Sequence, residues 1–244
     1  RALVLTGAGR AFCAGADLSE FDFAAGDDIM FRADPGPVID QAFNPTTRRL
    51  MAVRVPTVCA VNGVAAGAGA SVAMACDIAI AAPGASFIQA FSKIGLVPDS
   101  GGTWLLPQRV GLARAMALCL TGDKLSAQEA KAMGMIWDVQ DDALGAAKAM
   151  AERLAAMPTR ALVATRHLLQ RGHRDIAFFG GHADSSSCRE RRLGYQDALA
   201  EAGITPDPRW LIETAPTRLD ACANAGALFA RSPAPSAAVC YNDA

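Results

Sequence analysis

Apolar residues recur along this chain in two rhythms. Short unbroken runs, ALVLT at 2–6, TVCAV at 57–61 and IAIAA at 78–82, have the length of strands buried on both faces, and 86–91 and 136–139 read as further strands. Helical spacing marks 38–53, 109–120 and 141–154, and a helix begins at Ser71. Between 126 and 134 the signal is local: Ser126 with Glu129 three residues on forms a capping box, and Gly134 is the stop. Two runs of small residues, FCAGADLSEF at 12–21 and NGVAAGAGAS at 62–71, each come after a strand signal and lead into a new element. The stretch 21–37 is rich in Asp, Gly and Ala without period, which predicts a mobile surface loop or lid.

After 158 the pattern changes. It predicts a helix over 159–171 ended by Gly172, a strand at 175–181, a polar loop HADSSSC at 182–188 and a helix over 189–202 stopped by Gly203. A strand at 210–213, a helix at 219–231 and a strand at 237–241 complete a βαβαβ order. Strands alternating with helices imply a parallel, doubly wound sheet with its ligand site beyond the C-terminal strand ends.

Composition narrows the function classes. With 244 residues, 52% apolar, the chain can bury a sizeable core as one large or two modest domains. A net charge of −1 offers no basic footprint, so neither nucleic acid nor an anionic membrane is an expected partner. Seven scattered cysteines, an odd number with Cys59, Cys76 and Cys119 inside apolar runs, read as reduced thiols of a cytoplasmic protein. No CxxC pairs with histidines at ligand spacing, and His167, His173 and His182 lie in different contexts, so no metal site is expected. No apolar run reaches membrane-span length and no signal peptide precedes the first strand. Arg1 leads directly into that strand, so the chain reads as N-terminally truncated.

The chemistry concentrates in the small-residue loops. Backbone amides that end a tight loop at a helix start point outward with the positive end of the helix dipole behind them, which suits an anion or a developing oxyanion. Packing alone also explains such a turn; a second loop of the same kind, around Gly15, makes the chemical reading stronger. Farther on, Pro98 holds Val97 extended, and Asp99 or Ser100 is placed to cap a helix.

LTGAGRAFCAGADL, CAVNGVAAGAG and IGLVPDSGGTWLLP, in this order and spacing, resemble the crotonase (enoyl-CoA hydratase/isomerase) superfamily, and with TGDKLSAQEAKAMGMIWDV the isomerases within it. The resemblance implies a spiral of ββα units over about 1–163, an acyl-CoA substrate with no cofactor beyond its CoA thioester, and assembly as a homo-trimer or hexamer. It implies an oxyanion hole from the backbone amides of Ala16 and Ala68, with Ala14, Gly15, Asp17, Gly67 and Gly69 lining the substrate. The second donor is usually glycine in the family, and a backbone N–H survives that change. Hydratases of the family use two glutamates, and the matching positions are Ser71 and Phe91. Neither can act as a base. Asp99 stands where the isomerases place their acid/base, and isomerisation needs one carboxylate to move a proton along the acyl chain.

From about 164 to 244, HLLQRGHRDIAFFGGHADSSSCRERRLGYQDALAEAGI and the late AAVCYND resemble part of the periplasmic-binding-like effector domain of lactose-repressor-type regulators. The resemblance implies a sugar-like effector held by Arg191 and Asn242; a solvated helix face and a turn are the plainer readings of the two. No DNA-binding headpiece is present in this sequence. Two functions therefore compete, an acyl-CoA isomerase and an effector-binding fragment, beside a third in which the joined halves have none.

Overall fold

The computed structural model describes residues 1–17, 36–157, 159–181, 186–201, 203–214, 217–231 and 233–240. Its contacts divide the chain into two units, one of 2–53 with 57–152, the other of 153–244 with Arg1 and 54–56.

The first unit repeats one motif. β1 (Leu3–Thr6), β3 (Thr57–Val61), β5 (Ile78–Ala81) and β8 (Asp138–Val139) form a parallel sheet in the order β1-β3-β5-β8. β2 (Ala11–Cys13), β4 (Val64–Ala66), β6 (Ser86–Ile88) and β7 (Lys124–Ser126) form a second sheet in that order, parallel except for the antiparallel β6/β7 pair. From β1 to β6 consecutive strands thus alternate between sheets, and each of these three pairs leads on to a helix: α1 (Asn44–Ala52), α2 (Ala68–Ala75) and α3 (Gly102–Val110). The continuous apolar runs become the inner strands β3 and β5, every residue of which is buried. Thr57 and Asp77 lock their starts: the Thr57 amide and hydroxyl both donate to Asp77 Oδ2, at 2.8 and 2.9 Å, and the Asp77 amide returns a bond to Thr57 Oγ1.

Several expectations change. The loop at 62–71 contains β4, and α2 begins at Ala68, three residues earlier than the pattern predicts. The strand of 86–91 ends at Ile88 and gives way to a 3-10 turn, Ala90–Ile94. The helix of 109–120 is two, α3 and α4 (Leu112–Thr121), parted at Gly111. Of the lid at 21–37, residues 21–35 lie outside the described residues, while Gly36 and Pro37 open a helical turn. That turn widens into a π-helix at Ile39–Phe43: Pro45 has no N–H to give, and the Asn44 amide reaches back five residues to Ile39 O. α5 (Ala127–Ala132) has its capping box, with Glu129 Oε2 2.9 Å from the Ser126 amide, and α6 (Ala143–Ala155) follows β8.

The second unit is the predicted α/β layer. α7 (Thr159–Gln170), β9 (Ile176–Gly180), α8 (Ser186–Glu201), β10 (Leu211–Glu213), α9 (Arg218–Phe229) and β11 (Ala237–Cys240) give a parallel sheet ordered β10-β9-β11. β9 is buried throughout, and its alternation serves two faces. Ile176 and Phe178 pack with Tyr195 and Leu199 of α8, whereas Ala177 and Phe179 pack with Trp210 and Leu228 on the other side. Of the polar loop at 182–188, residues 182–185 lie outside the described residues and Ser186 already begins α8; Trp210 belongs to a 3-10 turn, ahead of β10. Among the described residues no helix is long and apolar enough to cross a membrane.

Candidate active site

Parallel pairing of β2 with β4 brings the two small-residue loops out of the same sheet edge side by side. At Gly15 a side-chain carbon would stand 3.1 Å from Ala66 O and 3.7 Å from the Ala68 amide nitrogen, so the backbones touch; φ there is +90°. Gly67, with φ 53° and ψ −125°, turns the chain from β4 into α2. At Gly69 a side chain would run into the Cys13 carbonyl. Ala68 is 4% exposed and is the first residue of α2, so no carbonyl one turn back within the helix receives its N–H. The Ala70 and Ser71 amides turn instead to Gly67 O, at 3.0 and 3.3 Å. Ala16 is half-buried, and Ala14 and Asp17 are exposed on the same loop.

Asn62 holds the bases of these loops together. Its Oδ1 accepts from the Gly7 amide at 3.1 Å, and its Nδ2 donates to Gly9 O at 2.9 Å and Ala11 O at 3.2 Å. The sequence places Asn62 in the motif without disclosing this task, because its three partners lie more than 50 residues away.

Asp99 sits between the Ala90–Ile94 turn and α3. Neither Asp99 nor Ser100 caps that helix: the N-cap position belongs to Gly101, and no side chain bonds there. Ser100 instead donates its hydroxyl to Asp99 Oδ1 at 2.9 Å, while Ser71 Oγ donates to Asp99 O at 3.2 Å. Ser100 is the one non-glycine residue with positive φ, 52°, among the described residues, and it is buried. Burial raises the Asp99 carboxyl above its ordinary range, outweighing the Ser100 hydroxyl and a backbone amide that pull it down. The sequence sets burial against a helix terminus without ranking them; here burial prevails.

The resemblance matches Ser71 and Phe91 to the two glutamates of the hydratases. Ser71 is fully buried against the Asp99 loop, and the Phe91 ring lies 3.6 Å from the place a Gly67 side chain would take. A buried carboxamide completes the cluster. Gln89, 3% exposed, has its Oε1 4.0 Å from the point where a side chain on Gly102 would begin; Ser71 Oγ is 2.8 Å and Pro98 Cβ 3.3 Å from that point. The strand pattern expected over 86–91 conceals Gln89, and its polarity within an apolar run is the signal that could have singled it out. Arg109 of α3 ties the far ends, donating through Nη2 to Met74 O and Cys76 O at 2.9 Å each.

In the second unit Arg191 is half-buried on α8, and Asn242 lies outside the described residues. A cavity of about 360 Å³ opens beside α8 and the ends of β9 and β10, lined by Phe178, Gly180, Arg189, Arg192, Leu211 and Glu213 among others, and not by Arg191. Arg192 Nη1 lies 3.7 Å from Glu213 Oε1.

Residues 1–185 match the enoyl-CoA hydratase/isomerase family, and 165–244 match a periplasmic binding protein-like domain. The 1,2-epoxyphenylacetyl-CoA isomerase of Escherichia coli is 52% identical over 161 residues, 65% of this chain and 60% of that protein. A Rhodobacter capsulatus protein named probable enoyl-CoA hydratase is 43% identical over 70% of this chain and 65% of its own length. The chain thus spans less than two-thirds of these relatives. A crystal structure of an enoyl-CoA hydratase/isomerase family member from Mycobacterium abscessus superposes with a TM-score of 0.64 at 32% identity, covering 94% of this chain and 79% of that one. Two loops meeting at the start of α2, within alternating ββα units and in the unit that holds the half-buried Asp99, accord with these matches: the chain belongs to the enoyl-CoA hydratase/isomerase family and ends in a periplasmic-binding-like fragment.

Proposed function

We propose that the core, over 1–163, is an acyl-CoA isomerase, with Ala16 and Ala68 as oxyanion donors and Asp99 as the acid/base. The observation that carries this reading is the environment of Asp99: its carboxyl is raised by burial, and both hydratase glutamate positions hold residues that cannot ionise to a base. In the proposed step the thioester oxygen accepts from the two amides, which acidifies C2. Asp99 takes the C2 proton, the electrons pass to the thioester oxygen, and the carboxyl returns the proton at C4 as the double bond moves from C3–C4 to C2–C3. Ala14, Gly15, Asp17, Gly67 and Gly69 line the thioester, and no cofactor is required beyond its CoA. The identity with the E. coli protein favours an arylacetyl-CoA epoxide as the finer substrate. A cytoplasmic setting suits its free thiols, and a trimer or hexamer would cover the apolar stripe Leu112, Met116 and Leu120 of α4. Conversion of a 3-enoyl-CoA to the conjugated 2-enoyl-CoA, lost in Asp99→Asn with thioester binding retained, tests the reading.

A second reading, favoured by the cavity at the strand ends of the fragment over 164–244, is capture of a small effector there. A thermal-shift comparison of CoA thioesters with sugars separates the two, because a ligand that binds only the folded chain raises its midpoint.

A further inference from the structure

Ser100 holds a conformation that glycine adopts freely and serine resists: its φ is 52°, and no other non-glycine residue among the described ones has a positive φ. It is also 1% exposed. Such strain persists only where the surroundings impose it, and it gathers where a side chain must be aimed. Glycine here would relieve the strain and lose the hydroxyl. That hydroxyl has one partner: Ser100 Oγ donates to Asp99 Oδ1 at 2.9 Å, while Ser71 Oγ, from α2, donates to the Asp99 main-chain carbonyl at 3.2 Å. The backbone and one carboxylate oxygen of Asp99 are thus each fixed by the hydroxyl of a buried serine. Oδ2 differs. No other described residue donates to it, and it is not an enclosed atom.

We infer that Ser100 is the positioning residue of Asp99: by holding Oδ1 it makes Oδ2 the single oxygen that both takes and returns the substrate proton, so that proton stays between Oδ2 and the substrate instead of passing to water. This rests on the isomerase reading for the role of Asp99, and it adds which atom acts and what fixes it. The χ2 torsion of an aspartate is a broad, roughly twofold rotor, so an untethered carboxyl turns over and interchanges its oxygens. Oδ1 accepts from Ser100 both when the group is ionised and when Oδ2 carries the proton, and the tether therefore lasts through the whole cycle. The C2–H bond breaks as Oδ2–H forms, and the electron pair passes to the thioester oxygen. Oδ2–H then breaks as C4–H forms, the thioester carbonyl is restored and the double bond comes to lie at C2–C3.

Isotope retention tests it. A 3-enoyl-CoA carrying two deuterons at C2 is isomerised in ordinary water by the parent chain, by Ser100→Ala and by Ser100→Gly, and the product of early turnover is weighed by mass spectrometry. Most parent product should keep both deuterons, one at C2 and one at C4. In either variant most product should have lost one to water, with kcat down about tenfold or more and KM nearly unchanged. Ser100→Gly should have the higher thermal midpoint of the two, because glycine meets this φ at no steric cost, so a loss shared by both variants belongs to the hydroxyl and not to strain or stability. A parent that gives up the deuteron overturns the inference without any variant. Variants that retain it as the parent does also overturn it, and make Ser100 a structural residue. Failure of the isomerase reading looks different: the parent isomerises no 3-enoyl-CoA, or Asp99→Asn matches its rate, and the inference falls with that reading.

Discussion

The Ser71 hydroxyl donates to the main-chain carbonyl of Asp99, 28 positions away, at 3.2 Å. The position that the resemblance matches to a hydratase base here tethers the loop that bears Asp99. The chain should therefore show little or no hydration of crotonyl-CoA, since neither Ser71 nor Phe91 can deprotonate water. Robust formation of 3-hydroxybutyryl-CoA, followed by loss of the conjugated thioester absorbance, would refute this. Ser71→Ala should cost roughly 0.5–1.5 kcal/mol of stability, the scale of one neutral hydrogen bond.

Asp99→Asn should lower isomerisation by about 10²-fold or more with little change in thioester affinity, the scale on which a positioned acid/base acts. Single-turnover rates and binding titrations measured side by side check this. Parent-like rates in the variant would reduce Asp99 to a loop residue.

The same residue gives a pH signature. Its folded carboxyl is raised above 3.8, so between that value and its folded one the native chain holds more protons than the unfolded chain, and stability falls as pH rises. Asp99→Asn should accordingly raise the thermal midpoint at pH 7, and the gain should shrink to nothing as the pH drops below about 4. Ser100→Ala removes a hydroxyl that pulls the carboxyl down, so the acid limb of kcat/KM should move to higher pH. An unmoved limb would mean that another group controls it.

Ala68→Pro probes the oxyanion donor directly. Proline is tolerated at the first position of a helix and has no N–H to give, so the variant should fold while losing roughly 10²–10³-fold in turnover. Circular dichroism establishes folding, and turnover decides the role.

Asn62→Ala should destabilise by about 2–4 kcal/mol, because three bonds to the β1–β2 turn and the start of β2 are lost at once. Denaturant titration measures it, and a change below 0.5 kcal/mol, roughly the scale of an indifferent surface substitution, would deny Asn62 that role.

The inner strands and the turn signals are legible in the sequence because their causes are local. TVCAV and IAIAA are too short and too apolar to be anything but buried strands in this context, and Ser126 with Glu129 carries its cap within four residues. β4 is not legible: Val64, Ala65 and Ala66 are small residues in a glycine-rich run, and only pairing with β2 and β6 makes them a strand. The βαβαβ order of the second unit is plain from the pattern, since Gly172 and Gly203 mark its helix ends at positive φ. At the site the residues are findable but their relations are not. Asp99 as a helix cap is a reasonable inference from its neighbours, and what displaces it is Gly101 at the cap with Ser71 reaching in from another helix. Gln89 needs burial and a survey of partners, neither of which a one-dimensional pattern contains.

Arg109 grips the carbonyls at the end of α2 while Gly102, at the start of its own helix, lies against Ser71. The two helices are fastened at both ends, like the jaws of a caliper set to one width. One jaw begins with the Ala68 amide and the other comes just after Asp99, so the span between the proposed oxyanion donor and the proposed proton carrier is set by this pair of helices. On the proposed reading the acyl chain comes to that span, and the entropy of setting it is met when the protein folds, before a thioester arrives.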